Sequence, residues 1–107
     1  MMLNYVKEGK ISLEKVVEKM SHAPAICFNI ENRGFIREGY KADLAIVDMN
    51  KNWTIQKDNI LYKCGWSPLE GEVMSSKVIH TFVSGQPAYF NEKLQLQTRG
   101  ERLTFNR

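Results

Sequence analysis

The side chains that could do chemistry in this chain are few and scattered. His22 and His80 are the only histidines. Neither has a second histidine two or four positions away, the spacing that lets two imidazoles reach one metal ion from a strand or a helix. His80 alternates with Ile79 and Thr81 and is expected to project from one face of a sheet as a packing or surface residue, while His22 falls at a helix end. Asp43 and Asp48 could share acid and base work only if they met. A strand rising ~3.3 Å per residue between them holds them too far apart for one proton, so they read as turn residues at the strand's ends. Ser67, Ser75 and Ser76 have no histidine and acid arranged near them in sequence. The glycines form neither the GxxxxGK[ST] nor the GxGxxG phosphate-binding pattern. Cys27 and Cys64 lie far apart with no CxxC pairing, and one adjacent cation, Lys63, is too little to make a nucleophile of Cys64. Both are expected to be reduced thiols. No catalytic, cofactor-binding or metal-ligating residue is assigned.

Composition points the same way. A chain of 107 residues and 12.4 kDa, with 43% hydrophobic and 25% charged residues, supports one small globular unit with a modest core. The longest apolar stretches, Ala42 to Val47 and Val78 to Val83, are interrupted by Asp43 and by His80 and Thr81, and are far short of the ~20 residues that cross a bilayer. Met1 to Gly9 lacks a secretory pattern, so a cytoplasmic location is expected. The net charge of +3 includes a cluster at Arg99, Arg102 and Arg107. Without an aromatic stacking module beside it, the cluster reads as a solvated tail and no nucleic-acid partner is expected.

The elements that would position these residues are helices first, then a sheet. Leu3, Val6 and Lys7 sit at helical spacing before Gly9. Ser12 caps a second helix, whose stripe of Leu13, Val16, Val17 and Met20 is expected to be buried and which closes at Ser21 and His22. Pro24 then opens a short helix through Phe28, with a corner between the two. Asn32 to Gly34 and Glu38 to Tyr40 make turns. Ala42 to Asp48 reads as a strand buried on both faces. Trp53 to Ile55 is a second strand and Val78 to Ser84 a third, with Ser84 and Gly85 turning into Pro87 to Phe90 as a hairpin. Tyr62 to Ser76 reads as a long loop docked by Trp66 and Leu69. The last pieces, Leu94, Leu96 and Leu103 to Phe105, are either a further strand or a surface tail. The fold class is α+β.

Three segments carry a family resemblance. Gly34 to Asp48, GFIREGYKADLAIVD, resembles the stretch near the C-terminus of the cyclic amidohydrolases. KCGWSPLEG, which contains Ser67 to Gly71, and KVIHTFVSG, Lys77 to Gly85, narrow the resemblance to dihydroorotases. KMSHAPAICFNI resembles the helix corner before the first of these, with Ala23 where the family commonly has Asn and Asn29 where glycine is common. The motifs run in order from about Ser12 to Tyr89.

The resemblance implies a parent enzyme that interconverts N-carbamoyl-L-aspartate and dihydroorotate in pyrimidine biosynthesis. The family's (β/α)8 barrel holds two zinc ions through an HxH pair, a carboxylated lysine, two further histidines and an aspartate, all upstream of the matched segment. On this basis residues 1–30 would be the last barrel helices and residues 31–107 part of a small β-sandwich domain. The chain alone would be inactive, its main partner the N-terminal barrel of the same enzyme. Apolar surface left bare would drive self-association. The alternatives are a non-catalytic amidohydrolase-like β module that binds a protein partner and a fragment of allantoinase.

Overall fold

A computed structural model describes all residues, Met1 to Arg107. Helix α1 (Met2–Lys7) stops where Gly9 adopts φ +72°, with the Lys10 amide donating back to the Tyr5 carbonyl. Helix α2 (Leu13–Val17) starts at Ser12, whose hydroxyl accepts from the Lys15 amide at 3.2 Å. That cap satisfies one of the amides a helix leaves free at its first turn.

No corner follows. The chain continues through a π turn (Glu18–His22) directly into α3 (Ala23–Cys27), with Val17, Glu18, His22 and Ala23 all in the right-handed helical region. The Ala23 amide donates to the Glu18 carbonyl, five residues back. Pro24 accounts for the wide turn: it has no amide to give Met20, and its ring would strike that carbonyl in a regular helix. Pro24 does sit in the first turn of α3, but that helix continues the run from α2 through the widened turn with no corner between them.

The sheet has the order β1-β4-β5-β6, all neighbours antiparallel: β1 (Leu44–Asp48), β4 (Lys77–Val83), β5 (Gln86–Phe90) and β6 (Lys93–Leu94). The β4–β5 turn has both central residues at positive φ, Ser84 at 49° and Gly85 at 78°, the backbone twist that two-residue hairpins favour. Asn91 and Glu92, at 49° and 64°, make a second such turn into β6. A separate pair, β2 (Trp53–Thr54) and β3 (Val73–Met74), ties the loop between them to the first helix. There Asn4 donates to the Val73 carbonyl and accepts from the Ser75 amide. A 3-10 turn (Lys57–Asn59) lies within that loop. The chain end returns to the helices, where Ile30 bridges Phe105 and the Asn106 amide donates to the Asn29 carbonyl.

Burial departs from what the pattern predicts. Val16, Ala25 and Met74 are the only buried apolar residues. Of the α2 stripe, Leu13 and Val17 are each 43% exposed and Met20 63%, while only Val16 is covered. β1 is an edge strand with Ala45 and Ile46 exposed, not a strand buried on both faces. Trp66 is exposed and anchors nothing. The accessible surface is 8159 Å², against roughly 6,100 Å² for a compact chain of this mass. The radius of gyration is 15.3 Å, where ~13 Å is usual for this length. The chain has the apolar residues of a core but not the surfaces that would close over them.

Candidate functional site

The potentially reactive side chains each serve the fold locally. Asp43 pairs with Arg33 and accepts the Ser84 amide at 2.8 Å, so one carboxylate ties the turn before β1 to the β4–β5 hairpin. Asp48 accepts from the Asn50 amide at 2.9 Å and closes the turn after β1. Both act as turn residues at the strand's ends.

His22 lies flat against Phe35, ring centroids 4.3 Å apart and planes 8° from parallel. Arg37 covers Phe35 with its guanidinium 4.1 Å from the ring centre. His80 stacks on Phe90 at 4.2 Å, and its Nδ1 accepts from the Asn91 amide at 3.3 Å, which leaves the proton of the neutral ring on Nε2. Ser67 accepts from the Leu69 amide, the Ser75 hydroxyl donates to Asn4, and the Ser76 carbonyl accepts from the Trp53 indole. Cys27 and Cys64 are exposed thiols.

No three His, Cys, Asp or Glu side chains come together as a group that could hold a metal. The two imidazoles are committed to separate aromatic partners. The donor set of this chain therefore does not fit a zinc centre.

Charge gathers in one place. Glu92, in the turn before β6, bridges Lys51 and Lys77, and Lys77 also lies 5.5 Å from the Trp53 ring centre. Hydrogen bonds from Lys77 first and Lys51 second hold the Glu92 carboxyl below its ordinary range. Glu92 and Lys77 rim an apolar groove lined by Trp53, Leu61, Val78, Ala88 and Leu94. A second groove separates the helices from β1, with Val17, Phe35, Ile36, Leu44 and Ala45 along it. The second groove also holds His22 and Asp43, and the first Asp58 and Glu92, but neither brings together a group of three metal-ligating side chains.

The close packing lies where the helical run meets the turn before β1. Gly34, at φ +83°, passes so near Ala25 that a Cβ on it would lie 2.5 Å from the alanine's own and 2.8 Å from the Ser21 carbonyl oxygen. That glycine lies within the segment that carries the sequence resemblance, and the model of the amidohydrolase family matches residues 1–88 as a whole. The chain belongs to the amidohydrolase family.

The amidohydrolase match begins upstream of the helix-corner motif near Ser12 and so takes in α1. Among curated relatives, the dihydroorotases of Pyrococcus furiosus and Pyrococcus abyssi are 42% and 43% identical to it over 103 residues. That span is 96% of this chain and 25% of each relative, and it corresponds to the C-terminal segment of the larger protein. The chain thus spans about a quarter of the length of the curated relatives it matches. Among solved structures, L-hydantoinase from Arthrobacter aurescens superposes with a TM-score of 0.78 at 28% identity, covering 88% of this chain and 21% of that one. A D-hydantoinase superposes at 0.80 with 24% identity over the same shares, which shows the fold alone. The amidohydrolase chain is a mixed helix and sheet structure, as the α+β reading has it.

Proposed function

We propose that this chain is the C-terminal segment of a dihydroorotase, a structural part of an enzyme whose chemistry takes place on residues outside it. The supporting observation is the 42% identity to a dihydroorotase over nearly the whole chain, against 28% to a hydantoinase. In this reading residues 1–30 are the last helices of the parent's (β/α)8 barrel and residues 31–107 belong to its small β-sandwich domain. The exposed stripe of Leu13, Val17 and Met20 is then the face that packs against the rest of the barrel.

The parent would be a cytoplasmic, zinc-dependent cyclic amidohydrolase of pyrimidine biosynthesis, interconverting N-carbamoyl-L-aspartate and dihydroorotate. Zinc in such an enzyme polarises the amide carbonyl and activates water. No residue of this chain is given a part in that step. Its contribution is to support: the Gly34 contact with Ala25 packs the turn before β1 against the helices, and the Asp43 bridge ties that turn to the β4–β5 hairpin. By itself the chain is inactive.

The test is a chimera in which residues 1–107 replace the matching quarter of the Pyrococcus furiosus dihydroorotase. Turnover of dihydroorotate within about tenfold of the parent, roughly the effect of 1.4 kcal/mol on a barrier, supports the reading. A chimera that folds and binds its metal yet leaves dihydroorotate untouched overturns it.

A further inference from the structure

After β6 the chain forms no further helix or strand, yet it is fastened along its whole path. The Gln95 amide donates to the Ala88 carbonyl and the Thr98 hydroxyl to the Pro87 carbonyl, at 2.8 and 2.6 Å, so the segment leaves along β5. Farther on, Glu101 pairs with Lys41 at 2.7 Å. The Thr104 carbonyl then accepts from the Glu31 amide and the Asn106 amide donates to the Asn29 carbonyl, the two bonds of an antiparallel bridge between Ile30 and Phe105. None of residues 95 to 107 is buried. Polar contacts at three stations, and not a core of its own, set the course of this segment.

The stations share a target. Residues 29 to 43 form the joint between the helical run and β1. Asn29, Ile30 and Glu31 stand at its start and Lys41 near its end, and the remaining station is on β5. Inside the joint, the Lys41 amide donates to the Asn32 carbonyl and Gly34 passes against Ala25. The segment touches neither of those inner contacts. It grips the joint from outside, at both ends, and anchors that grip on the sheet. The match to the amidohydrolase family covers residues 1–88, and the segment follows it.

We propose that residues 95 to 107 are a clasp, a conformational device that sets the angle between the helical run and the sheet by holding the joint at both ends. Bringing distant parts of a chain together costs most of its entropy at the first tie. Each further tie across the same gap adds its bond at little extra ordering cost, so the stations act together and loosening one loosens the joint. The β4–β5 hairpin keeps its own ladder and does not depend on the clasp. Every contact in the argument lies within these residues. The proposal therefore rests neither on the dihydroorotase reading nor on what else the polypeptide contains.

Hydrogen exchange in the intact native polypeptide that carries these residues, whatever its length, tests the clasp. Asn106→Pro removes the amide that bonds Asn29, and Glu101→Lys sets like charges at the Lys41 station. Both are expected to speed exchange at the Glu31 amide and also at the position 41 amide, by about two- to tenfold, the scale of one hydrogen bond. Amides of β4 should keep their native rates. The double variant K41E/E101K restores the opposite charges and should return the joint to native rates, which covers a failure of N106P to fold. Faster exchange at Glu31 alone, unchanged rates in both single variants, a rise extending through β4, or no recovery in the double variant would each overturn the proposal.

Discussion

Gly34 and Ala25 touch where the turn before β1 crosses the helical run, leaving no room for a Cβ on the glycine. The crossing is the closest approach of backbone to helix at any glycine of the chain, and two penalties meet there. Gly34→Ala adds a methyl into a closed contact, costing about 1–3 kcal/mol, at a φ of +83° that costs an L-residue about 1–2 kcal/mol more. Gly39 has a similar φ, +80°, over open space. Urea unfolding should show G34A clearly less stable than G39A, since only the second penalty applies to G39A.

Asp43 holds two turns together through one carboxylate, by its pair with Arg33 and its bond from the Ser84 amide. Asp43→Ala is expected to cost about 2 kcal/mol, the scale of hydrogen bonds to a charged group. Amide exchange at Ser84 should quicken by more than exchange within β5. Uniform change across the hairpin would mean the carboxylate does not pin the turn.

Glu92 gives the chain a response to acid. Lys77 and Lys51 hold its folded value below the ordinary 4.5, so the unfolded chain takes up the proton first as pH falls. The stabilisation is complete above 4.5 and is lost as pH drops through the depressed folded value. Glu18 beside Lys15 and Glu101 beside Lys41 act in the same direction. All three carboxylates are exposed, so the effect is small and screened by salt. Thermal unfolding at low salt should show the acid-side decline shallower in Glu92→Gln than in the native chain, with the difference closing in high salt.

The two tryptophans report on different surroundings. Trp53 donates its indole N–H to the Ser76 carbonyl and is partly covered, whereas Trp66 is 60% exposed. Acrylamide should quench the Trp53→Phe protein, which keeps Trp66, more strongly than the Trp66→Phe protein. Equal quenching would place Trp66 in a docked position.

Local features of this fold are legible in the sequence, and features that depend on missing neighbours are not. Ser12 announces its cap and Ser84–Gly85 its hairpin because each is decided within four residues. The turn at Asn91 and Glu92 carries a weaker signal, since glutamate seldom adopts a positive φ, and Leu94, left open between strand and surface tail, falls in β6. Pro24 suits a first helical turn as well as a widened one, and nothing local distinguishes them. The stripe of Leu13, Val17 and Met20 and the strand Ala42 to Asp48 are apolar enough to be buried, yet burial needs a covering surface that these residues do not supply. Asp43 and Asp48 are legible as turn residues because each bonds a nearby turn amide, whereas His22 does not close its helix but lies within a continuing helical run against Phe35.

The most direct test of the central claim is the size of the native polypeptide, read with an antibody raised against residues 1–107 in extracts of the cells that make it. The expected band is several times larger than 12.4 kDa, in keeping with relatives of which this chain spans a quarter. A band at 12.4 kDa and nothing above it would contradict the account and make this chain a non-catalytic protein in its own right.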